Sequence, residues 1–448
     1  MVSMGEMMES AEERINDLIQ KGQITEIKRA ILNAVGGHDG WRAKECIDLH
    51  AGKNVMSQQA REVLASPGLV NNSVAGAIGQ RNAAGTCFID QIESITVHIL
   101  RELFRAKYVE YRGMSGSVVN GIALCALTRP GEVIMVVPKK NYGHYTFTEK
   151  GYPRHLGLQV EEIPFTDDGT EIDMGAFRKR VKEVKPSVIV VGTNIFLFPT
   201  PLKEIREVAD SVSAKVLYDG AHVLGLIAGR SFQAPLAEGA HILVGSTQKT
   251  FPGPIGGILA CNDEEIAHEV FRVTDGLFSN YGNNRIGALA ITAAEMLHFG
   301  KDYTKAIAEN SYALSVALES ADFDVFGKSH GYTVSHQVAF DATSCGGAKR
   351  AREVLEKANI ISTHFALTKD YPNSLENPNG LRLGVSTVTR LGMGTREMKK
   401  IAEFIRGALR GSQKVDRIRQ EVQELAAHFQ TVHYSFDSQK SEQQTRSS

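Results

Sequence analysis

Five short apolar runs, Val133–Val137, Leu158–Ile163, Ser187–Val191, Val216–Tyr218 and His241–Val244, recur through the middle of the chain with amphipathic stretches between them. Each run is too short for a helix and rich in β-branched residues, so each reads as a strand buried on both faces. The stretches between them, among them Met174–Val184 (entered from Ile172 and Asp173) and Leu202–Val212, carry apolar residues at helical spacing. Strands alternating with helices predict the α/β class, a mostly parallel sheet covered on both faces. Ligands of such sheets gather at the carboxyl ends of the strands. Asp219-Gly-Ala-His222 follows one of these runs directly, and Gly245-Ser-Thr-Gln-Lys249-Thr-Phe-Pro-Gly-Pro-Ile-Gly-Gly257 follows the last. A further apolar run, Ile258–Cys261, comes next, which places Lys249 in a turn between neighbouring strands. A lysine held there, partly desolvated and braced by small hydroxylated residues, has a lowered ammonium pKa and an amine free to condense with an aldehyde.

The rest of the chain divides around this unit. Residues 1–58 read as an N-terminal arm, with a capping box of Ser10 and Glu13, a helix closed by Gly22, a second helix over Thr25–Val35, a loop at Gly36–Gly40 and an irregular polar segment over Asp48–Asn54. Residues 59–300 form the large domain. A helix near Arg285–Phe299 leads into a smaller α+β domain over 301–434, with helices at Ala306–Leu318 and Ala348–Ala358 and strands at Gln337–Asp341 and Leu381–Gly384. Val415, Ile418, Val422, Leu425 and Phe429 form one apolar face of a late helix. The polar end, 435–448, has nothing to bury and is expected to be disordered.

Among 448 residues, Lys+Arg 50 against Asp+Glu 51 leaves no net field to draw nucleic acid or an anionic membrane. The expected partners are small molecules and further copies of the chain. The five cysteines show neither paired spacing nor a zinc pattern, so no metal site is expected. The start shows no targeting segment and no run is long enough to span a bilayer, so the expected compartment is the cytoplasm.

An isolated turn lysine is usually only solvated, and its company changes that reading. If Lys249 holds a pyridoxal phosphate aldehyde, the cofactor needs an anion at its ring nitrogen, donors for its phosphate and a flat group against its ring. Asp219 is placed for the first. Ser115-Gly-Ser117, opening a helix through Asn120, is placed for the second, because backbone N–H groups at a helix start bind phosphate. His144, beyond the strand at Val133–Val137, is placed for the third.

These stretches resemble the serine hydroxymethyltransferase family, within the aspartate-aminotransferase-like fold (fold type I) of pyridoxal phosphate enzymes. Tyr218-Asp-Gly-Ala-His-Val-Leu-Gly-Leu226 is similar to the family's V-D-x-A-H-I-A-G-L, and Ser246-Thr-Gln-Lys-Thr-Phe-Pro-Gly-Pro-Ile-Gly-Gly257 to T-T-H-K-T-L-R-G-P-R-G-G. Gly143-His144, Gly380–Gly384 and Thr387–Arg390 add to the likeness, which runs from about Asp48 to Ile405. The resemblance makes Lys249 the Schiff-base lysine, Asp219 the partner of the ring nitrogen and His144 the stacking residue. By the same resemblance His222 and Asn194 meet the cofactor's phenolic oxygen, and Ser115, Gly116 and Ser117 hold its phosphate, with Ser246 and Gln248 beside the lysine. Arg382 grips the substrate's α-carboxylate, with Lys53 and Ser57 in the family's substrate-side motif. Gly282 reaches the phosphate of a neighbouring subunit in an obligate homodimer.

The departures from the pattern fall together. The family's S-E-N-x-x-S is met by Gly52-Lys53-Asn54-Val-Met-Ser57, with a lysine where an acid is usual. Its acid–base glutamate becomes Ala75, and tyrosines of the folate pocket become Ser73, Asn82 and Ala83. Gln248 and Pro252 replace the histidine and arginine that flank the lysine. The loss at Ala75 and the gain at Lys53 are expected to make the pocket mouth more positive and to favour an anionic substrate.

The expectation is therefore a folate-independent pyridoxal phosphate enzyme that acts at the Cα–Cβ bond of a β-hydroxy amino acid, through aldol-type cleavage to a glycine quinonoid and protonation or addition to another aldehyde. His144 or a water near Gln248 is the candidate base. The alternatives are a serine hydroxymethyltransferase using folate or another one-carbon carrier, an aminotransferase, and a cofactor-binding protein without turnover.

Overall fold

The computed structural model describes residues 4–70, 76–167, 169–371 and 376–437. A short strand, β1 (Ile47–Asp48), precedes seven that form one sheet: β2 (Tyr108–Gly113), β3 (Val133–Val136), β4 (Gln159–Glu162), β5 (Val188–Val191), β6 (Lys215–Asp219), β7 (Ile242–Ser246) and β8 (Gly257–Cys261). Their order is β2-β8-β7-β6-β5-β3-β4, with β8 antiparallel to both neighbours and the other pairs parallel. The five runs singled out in the sequence are the five consecutive parallel strands. Alternate residues explain the apolarity of the four inner runs, while the edge strand β4 carries Gln159, Glu161 and Glu162 and is only partly buried. Met135, Ile189, Val216 and Leu243 enter the core on one face, while Ile134, Val188, Leu217 and Ile242 enter the core on the other.

Beyond the sheet come β9 (Asp324–Val325), β10 (Gln337–Asp341), β11 (Ile360–Ile361), β12 (Thr363–Phe365) and β13 (Gly380–Gly384). An antiparallel sheet runs β12-β13-β10-β9, and β1 pairs in parallel with β11. The Gly384 N–H donates to Leu49 O at 2.8 Å, so the N-terminal segment is stitched to this second sheet.

Three local expectations change. The first helix runs Met4–Gln20, which puts Ser10 and Glu13 inside it rather than at a cap. The glycines at 36, 37 and 40 form no loop. The helix Ile24–His38 continues into a π-helical segment, Asp39–Glu45, despite a cost of about 1 kcal/mol per helical glycine. Long-range contacts hold it there: Trp41 Nε1 donates to Asn359 Oδ1 at 3.0 Å and Gln423 Nε2 to Glu45 Oε2 at 2.7 Å. The helices expected at 285–299 and 306–318 are one helix, Asn283–Ser320. The helix continues through Gly300 beside Gly229, where a β-carbon on Gly229 would lie 2.5 Å from Gly300 O and Thr304 Oγ1 donates to Gly229 O at 3.3 Å.

That 38-residue helix, roughly 57 Å long at 1.5 Å per residue, connects the two sheets. It is anchored by a fully buried ion pair in which Arg390 Nη2 donates to Glu295 Oε2 at 2.6 Å. Arg390 Nη1 donates to Tyr434 O, and the guanidinium lies 5.6 Å from the centre of the Tyr303 ring. Removing one partner of such a pair strands the other charge in apolar surroundings. Glu295→Ala is therefore expected to cost about 3–5 kcal/mol, read as a lower urea midpoint, and Glu295→Ala with Arg390→Met to recover part of it. An unchanged midpoint in the single variant would refute the anchoring role.

Candidate active site

The carboxyl ends of β6 and β7 carry the two charges that the sequence put together. Asp219 ends β6 and is buried, its Oδ1 accepting from Ala221 N at 3.0 Å and its Oδ2 from Asn120 Nδ2 at 3.1 Å. Lys249 lies in the turn between β7 and β8. That turn is rigid: Thr247 Oγ1 donates to Pro254 O at 2.6 Å, Thr250 Oγ1 to His222 O at 2.8 Å, and Asn54 Nδ2 to Lys249 O at 2.6 Å. Burial lowers the Lys249 ammonium to about 8, Asp219 opposes the shift and Arg382 adds to it. An amine with that pKa has an appreciable neutral fraction near physiological pH, where an exposed lysine has almost none.

The helix Gly116–Leu127 begins beside the end of β7. Ser115 caps it, its Oγ accepting from Val118 N at 3.2 Å. A β-carbon on Gly116 would lie 2.1 Å from Ser246 Oγ, so only glycine lets the helix start approach the strand. The Gly116 and Ser117 amides belong to the first turn, which has no intrahelical acceptors.

Two histidines have their tautomers set by their neighbours. The buried Gln337 amide accepts from Phe196 N through Oε1 at 2.7 Å, which orients Nε2 to donate to Asn194 O at 3.0 Å and to His222 Nδ1 at 2.9 Å. His222 therefore carries its proton on Nε2. Burial pushes its pKa well below the usual histidine range, and Lys249 and Arg382 push the same way. His222 also stacks on His336, with ring centroids 5.6 Å apart. His144 caps the turn Tyr145–Phe147, its Nδ1 accepting from Thr146 N at 3.3 Å and lying 2.7 Å from Thr146 Oγ1, which itself accepts from Asn120 Nδ2 at 3.2 Å. Thr146 thus donates to His144 Nδ1, and Nε2 again bears the proton. Burial lowers the pKa of His144, Asp219 opposes this and Lys249 reinforces it.

Arg382, on β13, reaches the same region from the second sheet. Its Nε donates to Thr363 Oγ1 at 3.1 Å and its Nη1 to Asn194 O at 2.9 Å, and burial lowers its pKa to about 10. Asn194 is held in turn by its N–H, which donates to Tyr142 O at 2.8 Å.

Other expected residues lie elsewhere. Ser57 is fully buried and caps the helix Gln58–Leu64 through Ala60 N at 3.2 Å, so a capping bond takes the hydroxyl expected to face substrate. Lys53 does not point freely into the mouth: its Nζ donates to Asp48 Oδ2 at 2.9 Å, and the same oxygen accepts from Arg42 Nε at 3.0 Å, so two cations share one carboxylate. Gly282 is exposed at the start of the long helix, with Asn284 and Arg285 as its near neighbours. Ser73 and Ala75 lie outside the described residues. Asn82 and Ala83 are exposed.

The family model for serine hydroxymethyltransferase matches residues 25–405. The chain belongs to the serine hydroxymethyltransferase family. It is 39% identical over 409 residues to the serine hydroxymethyltransferase of Staphylothermus marinus, covering 91% of this chain and 93% of that one. It is 39% identical over 411 residues to that of Methanocella arvoryzae, covering 91% and 96%. A solved structure of L-threonine transaldolase from Pseudomonas fluorescens, in its internal aldimine state, aligns with a TM-score of 0.82 at 25% identity, over 94% of this chain and 96% of that chain.

As a member of the serine hydroxymethyltransferase family, this is a fold type I, pyridoxal phosphate-dependent enzyme of the transferase or aldolase type. The residues present fit the cofactor: a buried amine of lowered pKa, a buried carboxylate, a helix start that a β-carbon would block, and Asn120 Oδ1 and Gln248 Oε1 buried without partners among the described residues. Asn120 and Gln337 are absent from the residues that the sequence nominated. Asn120 had a signal, four residues after Gly116 on one helix face; Gln337 had none, since it comes from a strand of the other sheet.

Capture of pyridoxal phosphate by cofactor-free enzyme is expected to rise with pH to half its maximum near pH 8, as Lys249 loses its proton. Asp219→Asn should move that midpoint down, and borohydride trapping with peptide mapping should put the label on Lys249; a label on another lysine would refute the assignment. Gln337→Leu, which frees the His222 tautomer, should lower kcat roughly 10- to 100-fold with unchanged circular dichroism. An unaltered kcat would reduce Gln337 to packing.

Proposed function

We propose that the enzyme breaks and forms the Cα–Cβ bond of a β-hydroxy amino acid. The observation that carries this reading is the buried set of Lys249, Asp219 and His222 facing Arg382 across the two sheets. Pyridoxal phosphate, when bound, supplies the sink for the electron pair released at Cα. Lys249 would hold it covalently, Asp219 would keep its ring nitrogen protonated, and Ser115, Gly116, Ser117 and Ser246 would surround its phosphate. His222 would offer its Nε2–H, with Asn194, to the phenolic oxygen, and His144 its ring face. Arg382, oriented by Thr363 and Asn194, keeps Nη2 for a substrate carboxylate. The β-hydroxyl proton must leave as the carbonyl forms. The His144 tautomer disfavours Nε2 as its acceptor, so a water held by Gln248 Oε1 is the better candidate.

Folate independence belongs to this proposal. It rests on Ala75, Asn82, Ala83 and Gln248, where the family's acid–base and folate-pocket groups are missing. Relatives 39% identical that carry the name serine hydroxymethyltransferase favour a second reading, hydroxymethyl transfer to a folate or other carrier. A homodimer with Gly282 completing the neighbour's phosphate site is part of the same proposal, supported by exposed apolar side chains such as Phe88 (73%) and Ile255 (66%). Among the described residues no helix is long and apolar enough to cross a membrane. Holoenzyme supplied with L-threonine or L-serine should release aldehyde at rates independent of tetrahydrofolate. Release only with tetrahydrofolate would establish the second reading, and a keto acid product would overturn both.

A further inference from the structure

A cavity of about 420 Å³ opens beside Arg382, bounded by the π-helical segment, the helix Ala348–Lys357 and β12. Its volume is that of a small-molecule site. Its lining includes the guanidinium groups of Arg42, Arg352 and Arg382 and the rings of Trp41, His50 and His364, against a single carboxylate, Glu356. The positive charge is not spent internally. Arg42 bonds Asp48 through Nε alone, and that carboxylate is shared with Lys53. Arg352 meets Glu353 and Glu356 only at 4.0 Å each, at the outer limit of an ion pair, and its buried Nε has no partner among the described residues. Ser362 Oγ, also in the lining, is likewise buried and unpartnered. The Nδ1 of His50 accepts from Gly52 N at 3.1 Å, which leaves a proton on Nε2. Unpartnered donors and three cations around one open space favour an anion there over a neutral ligand.

We propose that this cavity is a second anion subsite, taking the distal carboxylate or phosphate of an acceptor aldehyde and of the β-hydroxy amino acid made from it. It rests on the Cα–Cβ reading above and names its substrate class. Arg382 would hold the α-carboxylate at the inner end, while Arg352, Arg42 and Ser362 meet the second charge.

The test follows glycine addition by holoenzyme to 4-oxobutanoate, glycolaldehyde phosphate and butanal, alike in reactive group and different in charge. One charged aldehyde should surpass butanal in kcat/KM by about tenfold or more, its identity naming carboxylate or phosphate as the natural charge. Arg352→Gln should abolish that preference and Arg352→Lys should restore part of it, which separates charge from folding. No preference in the native enzyme, or a preference that survives both Arg352→Gln and Arg42→Gln, would overturn the proposal. If no aldehyde reacts, the Cα–Cβ reading fails by itself. Calorimetry with succinate and inorganic phosphate then decides the cavity: binding lost in Arg352→Gln supports it, and no binding to the native holoenzyme refutes it.

Discussion

An ammonium group pays heavily for leaving water, and this fold removes one from water at the turn between β7 and β8. The side-chain bonds of Thr247, Thr250 and Asn54 to backbone carbonyls keep Lys249 from swinging out to recover its hydration. Asp219, at the end of the adjacent strand, offsets part of the penalty, and Arg382 enlarges it. The result is a lysine poised between its charged and neutral forms. The surrounding sheet, buried on both faces, provides the low-dielectric environment on which that balance depends.

A second dependence follows from the use of two sheets. Gln337, on β10, bonds Asn194, His222 and the Phe196 amide, all on segments of the large-sheet region, and Arg382 on β13 bonds Asn194 as well. The hydrogen bonds that join the sheets are thus also the ones that orient the chemical groups. A shift of the second sheet would disturb the His222 tautomer and the Arg382 guanidinium together. The connecting helix Asn283–Ser320, tied by Glu295 and Arg390, resists such a shift.

Much of this was legible from residue order. The five parallel strands, the helix Met174–Val184 and the strand Gln337–Asp341 follow from periodicity, which burial enforces residue by residue. The errors share a cause. Glycine at 36, 37, 40 and 300 reads locally as a break, yet each lies in helical or π-helical backbone. Trp41 and Gln423 bond across the chain to hold the first group, and at Gly300 the helix runs on past Gly229, whose carbonyl accepts from Thr304 Oγ1. At Lys53 and Ser57 the motif does not show which nearby group takes the polar atom, Asp48 in one case and the Ala60 amide in the other.

Sequence by itself determined the family and the parallel sheet and nominated Lys249 as the amine to meet an aldehyde, because apolar period and short motifs are properties of adjacent residues. Tertiary structure alone decided which nitrogen of His222 bears a proton, where Lys53 spends its charge, and that Arg42, Arg352 and Arg382 border one cavity. Two of those outcomes join residues distant in sequence: Gln337 and His222 are 115 positions apart, and Arg42 and Arg382, 340 positions apart, line one cavity. Burial and hydrogen-bond geometry between such distant groups arise only once the chain has folded.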